Sequence, residues 1–394
     1  MRRALVLCAS IAILVLGSEA RAAPRAECTR GSWAVLQSAR VPSSGFELRG
    51  VSVVSRRDVW AVGSFEDADT HSSTPLVQHW DGDAWTTIET VPDGTVGSLS
   101  GVDGSARDDV WAVGSTLDLV SGSEALATHW NGRRWRVVQA AAPQAGKYVS
   151  TVFTDVLTLR PRDAWAVGYW SPVPDASPSP LIEHWNGRAW RVVGDTDFGS
   201  WTELLSVSGT SSRNVWAVGN TEVQVGPTLS VERPLAEHWN GTSWRVVRVP
   251  VIRARAPGTF ESVDAGGRRD AWTVGELTTR HGVKTFSMHW DGDDWQIVST
   301  VNPSASYQTL ASVSIASKHR VWAVGTRWDA NLRSDVTLTE RWDGSRWIIE
   351  PSANRQEEDQ LNDVDVLSST NVAVGSYWAN NGDGPQQGLV LERC

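Results

Sequence analysis

A short block, W-A-V-G, returns along this chain at intervals of 50 to 56 residues, and no other feature limits the possible folds as tightly. Its copies begin at Trp60, Trp111, Trp165, Trp216, Trp272 (as W-T-V-G) and Trp322, and a degenerate seventh, V-A-V-G, begins at Val372. A second block, H-W-[DN]-G-x-x-W, follows the first five at His79, His129, His184, His238 and His289, while the sixth unit has Arg341-Trp342. With Trp33, the repeat positions hold 19 of the 23 Trp, so the Trp excess is architecture before it is anything else. A fixed period of this size marks a propeller or solenoid.

Each unit reads as four short strands. Strand a is the L-x-x-V segment, strand b is V-W-A-V-G, strand c ends in H-W, and strand d is W-x-V-V. Apolar and β-branched residues fill all four, turn residues separate them, and no helical period is present. Between c and d stands Asp-Gly or Asn-Gly, from Asp81-Gly82 to Asp343-Gly344, a pair suited to tight hairpins. The expected fold is therefore all-β, a seven-bladed β-propeller with four antiparallel strands per blade. The last unit stops after strand c, while Trp33-Ala34-Val35-Leu36 matches a strand d, so the N-terminal strand is expected to complete blade seven and close the ring.

Arg2 and Arg3, the 13 apolar residues Ala4 to Leu16 and the A-x-A site Ala20-Arg21-Ala22 read as a secretory signal. Residues 1–22 are expected to be removed, leaving 23–394 as one propeller domain outside the cytoplasm: secreted, periplasmic or on the cell surface. No later apolar run approaches a bilayer span, so the mature chain is not expected to insert in a membrane. Cys28 and Cys394 are the cysteines that remain, both at the expected c–d junction of blade seven, with Cys394 in the Trp position of H-W. A disulfide between them is expected. The net charge of −9 argues against a nucleic-acid partner.

With its D-V-W-A-V-G and H-W-[DN]-G-x-x-W repeats, the chain resembles a group of bacterial secreted β-propellers of uncharacterised function. It is more loosely similar to seven-bladed bacterial propeller lectins, which hold sugars between neighbouring blades. The b–c loops here are longer than theirs, so their sugar sites do not transfer.

The recurring His have a structural reading. Each is matched by an acid or amide ahead of strand b: Asp58 with His79, Asp109 with His129, Asp163 with His184, Asn214 with His238, Asp270 with His289. One His per blade scatters them around a ring, whereas a metal gathers its ligands at about 2 Å. Blade six changes both positions, to Arg320 and Arg341.

Function is expected on the face carrying the long b–c and d–a loops. Its non-repeat aromatics include Trp170, Trp328 and Trp378, just beyond V-G in blades three, six and seven. With Arg327 and Arg333 they form a candidate binding rim for a carbohydrate or protein ligand. No metalloprotease, hydrolase-elbow, P-loop or EF-hand signature is present, so no catalytic residue is assigned and no cofactor is expected. Glu66-Asp67-Ala68-Asp69 and Asn380-Asn381-Gly382-Asp383-Gly384 offer Ca²⁺ oxygen ligands without the spacing of a calcium loop. The alternative to a non-enzymatic binding or scaffold module is an extracellular glycan hydrolase or lyase drawing on loop-face acids such as Glu203, Glu222 and Asp329.

Overall fold

The computed structural model describes residues 31–41, 43–118, 122–141, 150–172, 176–194, 200–226, 229–250, 257–355, 358–368, 370–378 and 384–393. They form seven four-stranded antiparallel sheets. Blade one comprises strands a (Gly45–Ser55), b (Asp58–Glu66), c (Ser73–Trp80) and d (Trp85–Thr87), in that order across the sheet. Blades two to six repeat the pattern. Blade seven takes Gln360–Leu367, Thr370–Trp378 and Gln386–Arg393 from the C-terminal end and its d strand, Trp33–Leu36, from the N-terminal end. Among the described residues, no helix is long and apolar enough to cross a membrane.

Strand b lies inside each sheet and between two neighbouring sheets, so its V-W-A-V-G run is buried on both faces rather than alternating. The following Gly is dictated by a bulge in strand a. A Cβ on Gly63 would lie 2.0 Å from the Glu47 carbonyl oxygen, and Gly168, Gly275 and Gly375 meet the same obstacle.

Indoles glue the seams between blades. At six seams the strand-d Trp stands edge-on to the strand-b Trp of the preceding blade, as Trp135 does on Trp60 at 5.3 Å and 81° and Trp347 on Trp272 at 5.4 Å and 88°. This geometry suits the ring quadrupoles and adds about 0.5–1.5 kcal/mol per pair beyond burial. The c–d turns are four-residue loops rather than two-residue hairpins. Asp81 Oδ1 accepts the amides of Asp83 and Ala84, and only Gly82 takes positive φ.

The a strands touch one another in a closed circle, each the inner edge of its sheet. Edge amides need partners, and side chains from the preceding blade supply them. Asp363 accepts from Val51 (2.7 Å), Asp365 from Val53 (2.6 Å), Asp155 from Val207 (2.9 Å) and Asp103 from Thr158 (2.5 Å). Ser206, Ser262 and Ser312 do the same for Val263, Val313 and Val364. The result is a hydrogen-bonded collar around the inside of the ring.

Candidate functional site

The five repeat His serve the scaffold. His79 Nε2 lies 2.8 Å from Asp58 Oδ1, and the distances are 2.8 Å for His129–Asp109, 2.9 Å for His184–Asp163, 2.9 Å for His238–Asn214 and 2.8 Å for His289–Asp270. Each ring also lies against the strand-b Trp of its own blade, His79 on Trp60 at 4.1 Å.

Blade six replaces this device. Trp322 sits between the guanidinium groups of Arg341, 6.0 Å from the ring centre, and Arg393, at 4.7 Å. Glu350 reaches both arginines, Arg341 at 2.6 Å and Arg393 at 3.7 Å. Arg320 bonds instead to the carbonyl of Ser368. The register corrects one sequence assignment. Val372 faces Glu392 and Trp33 faces Arg393, so Arg393, not Cys394, holds the Trp position of blade seven. Strand c there ends one residue earlier relative to its repeat than the block alignment implied. Cys28 and Cys394, and with them the expected disulfide, lie outside the described residues.

The proposed rim residues occupy separate places. Trp170 is half-buried against the core between blades two and three. Arg327 forms an ion pair with Asp329 at 3.0 Å. Arg333 is exposed at the tip of the blade-six b–c hairpin, with φ 55°. Trp328 and Trp378 are exposed at the ends of adjacent b strands. Blades six and seven thus carry four of the five, and Trp170 stands apart from them. In the Glu66–Asp69 patch, Asp67 accepts the amides of Asp69 and Thr70 and closes a turn. Residues 380–383 lie outside the described residues. Among the described residues, no three His, Cys, Asp or Glu side chains are placed to hold a metal.

Two features emerge that the motifs did not mark. The first is an acidic arc on the loop face of blades four and five. Glu203 faces Asn220 across strands a and b, and Asn220 donates to Glu232 at 2.6 Å. Burial, then the charge of Glu232, pushes the Glu203 carboxyl up to about 7. Glu276 is pushed up to about 7 by burial, then by Glu261 and Glu232. Tyr169 and Tyr307 flank these acids, and their hydroxyls are held above the ordinary value by burial and by Glu203 and Glu276 respectively.

The second is a groove of about 1880 Å³ along the seam between blades seven and one. Its lower end is bounded by Arg56, Arg57, Trp80 and the c–d turn Gly82-Asp83-Ala84; its upper end reaches Arg355, Tyr377 and Gln387 on the loop face. Val35 to Val41, the link from strand d of blade seven to strand a of blade one, forms one wall. Arg355 lies over the Tyr377 ring at 4.7 Å. Phe46 packs so closely on Gly388 that a Cβ there would come within 2.3 Å of its ring.

No family model matches the sequence, and no curated protein does. Solved structures share the fold. YCF48 bound to a D1 peptide aligns with TM-score 0.56 at 13% identity, over 93% of this chain and 97% of that one. A polysaccharide lyase of family PL25, an ulvan lyase bound to -[GlcA(1-4)Rha3S]-, aligns with TM-score 0.57 at 9% identity, over 90% and 96%. A protein of unknown function from Dyadobacter fermentans aligns with TM-score 0.51 at 9% identity, over 93% and 99%. At these identities the likeness establishes the propeller and leaves activity open.

Proposed function

We propose that this chain is an exported binding module that seats a protein or carbohydrate ligand in the groove between blades seven and one. One observation carries the reading: the groove joins aromatic faces to arginines that have no acidic partner among the described residues, at the junction where the Trp repeat lapses. Aromatic and Arg anchors are the side chains most enriched where binding energy concentrates. The proposal includes removal of residues 1–22 and a Cys28–Cys394 bond, which suits a ring closed from both chain ends in an oxidising compartment. The test is a screen of the oxidised chain from residue 23 against glycan and peptide arrays. Binding is expected to disappear in Trp80→Ala and Arg355→Ala and to persist in Trp328→Ala. Binding lost only with Trp328→Ala or Trp378→Ala would move the site to the loop-face rim.

The acidic arc supports a second reading, a glycan hydrolase or lyase. Carboxyls held near neutrality are suited to general acid or base work. On that reading Glu203→Gln or Glu276→Gln abolishes release of new chain ends from a polysaccharide while leaving the fold intact.

A further inference from the structure

We propose that the slot beside Trp80 takes an aromatic side chain from an acidic peptide segment of a partner protein. This deepens the binding-module reading and rests on it. Equivalent places around the ring differ at this seam. At five seams the strand-c Trp of one blade covers the strand-b Trp of the blade before: Trp130 on Trp60 at 5.3 Å, Trp185 on Trp111 at 5.0 Å, Trp239 on Trp165 at 5.1 Å, Trp290 on Trp216 at 5.0 Å and Trp342 on Trp272 at 4.9 Å. At the sixth, the Arg393 guanidinium takes the covering place on Trp322. At the seventh, Trp80 is present but its counterpart is Val372. Among the described residues Trp80 meets one ring, that of Trp85 in its own blade, at 6.0 Å. The seam therefore has the smaller, buried Val372 where six equivalent seams hold a strand-b indole.

The indole N–H of strand c also differs between blades. In blades two to five it donates to the a–b turn carbonyl, as Trp130 does to Arg107 and Trp290 to Arg268. Neither Trp80 nor Trp342 has such a bond among the described residues, and of the two Trp80 alone lines the groove. Its half-buried ring packs on the seam core by one part and borders the groove by another.

Chemistry selects the occupant. The apolar lining on the Trp80 side comes from Leu36, Ala39, Val41 and Ala84, whose side chains offer nothing to sugar hydroxyls and suit a flat hydrocarbon ring. The groove's volume exceeds the roughly 300–1,000 Å³ of small-molecule pockets and fits an extended chain segment. Arg40, Arg56 and Arg57 are exposed and have no acidic partner among the described residues, and Asp83 is the acid of the lining. On a chain of net charge −9 this local excess of positive charge favours carboxylates flanking the aromatic residue. Planar guanidinium groups can grip them bidentately.

The probe is a fluorescent octapeptide with one central Trp among glutamates, titrated into the oxidised chain from residue 23 and followed by polarisation. Three control ligands accompany it: the same peptide with Ala for Trp, the same with Lys for Glu, and a uronate oligosaccharide. Val372→Trp rebuilds the missing indole from inside and is expected to weaken binding about tenfold or more. Arg56→Glu with Arg40→Glu, on the exposed surface, is expected to do the same in a chain whose fold is unperturbed. Equal binding by the Ala control, or wild-type affinity in both variants, would overturn the proposal. Uronate binding that Val372→Trp abolishes, without peptide binding, would overturn the peptide and leave the groove as a glycan site. No groove-dependent ligand of either kind would remove both readings. Peptide binding that appears only after residues 23–30 are deleted would make the chain's own N-terminal segment the occupant and also overturn the proposal.

Discussion

Asp363→Ser tests the collar that ties one a strand to the next. Asp363 Oδ1 accepts from Ser312 at 2.6 Å and from its neighbour's amide, Val364, at 2.8 Å, and Oδ2 accepts from Val51. Burial pushes its carboxyl up to about 7 against the pull of the Ser312 and Val51 donors, and the charges of Asp155 and Asp365 add to the rise. An ordinary aspartate titrates near 3.8, so the gap corresponds to on the order of 4 kcal/mol. The folded chain holds a proton that the unfolded chain has released. Its stabilising contribution is therefore fully present below about pH 4 and is lost as the pH rises through about 7. Between pH 5 and pH 8 the loss is roughly 2.7 kcal/mol. A chain of 394 residues unfolds with about 0.8 kcal/mol/K of entropy, so the loss amounts to about 3 °C in Tm. Serine is the right probe because Ser206, Ser262 and Ser312 accept the same kind of amide from the equivalent position. Any constant cost of the smaller side chain appears at every pH. Calorimetry from pH 5 to pH 8 should show the Tm of the variant falling about 3 °C less than that of the wild type. Parallel profiles would mean that Asp363 is already ionised in the folded ring at pH 5, and the reasoning would be refuted.

The blade pins give two further expectations. His129→Ala removes the partner of Asp109, a buried carboxylate left with Ser105, and exposes the face of Trp111; a cost of about 2–3 kcal/mol is expected in denaturant unfolding, and an unchanged midpoint would show that the pin carries no load. His238 is paired with neutral Asn214, and burial together with Arg268 holds its imidazole below the ordinary value; in an NMR titration its ring should be more than half neutral at pH 6.5, and a ring half protonated or more at that pH would contradict the assignment.

The scaffold was legible in the sequence because propeller seams repeat their chemistry. The W-A-V-G and H-W blocks locate the strands, and the orphan Trp33 segment locates the closing strand, since each of these positions answers a packing need that recurs blade by blade. The c–d loops were legible in composition and not in length: Asp81 or Asn131 caps the turn from outside a Gly-only positive φ, which the dipeptide alone does not distinguish from a two-residue hairpin. The loop-face site was the least legible. Trp170 and Trp328 look equivalent in sequence, one or two residues past V-G, yet successive strand positions face opposite neighbours. Trp170 consequently packs toward blade two, while Trp328 stands exposed. The acidic arc was hidden for a related reason, since Glu203, Glu232, Glu261 and Glu276 come from four strands with no shared spacing.

The informative positions are those where the repeat fails, and the two failures flank the blade that closes the ring. At one seam the loss of His and Trp is repaired internally: Arg341 and Arg393 both lie over Trp322, and Glu350 bridges the two guanidinium groups. At the other the strand-b Trp becomes Val372, which is buried in a seam core with Leu36, Ala39, Val41 and Trp85, and Trp80 meets no ring across that seam among the described residues. A missing ring at a packed seam forfeits both burial and ring–ring contact, a loss that drift alone would leave as a destabilised joint. Here the smaller side chain coincides with an indole N–H and arginines that have no acidic or carbonyl partner among the described residues, beside the groove along the seam. Those additions are not required by packing, since aliphatic side chains already fill the core of this seam. The same residues are what a ligand-bearing joint needs, and on that ground we propose binding at this seam rather than at the fully satisfied repeats.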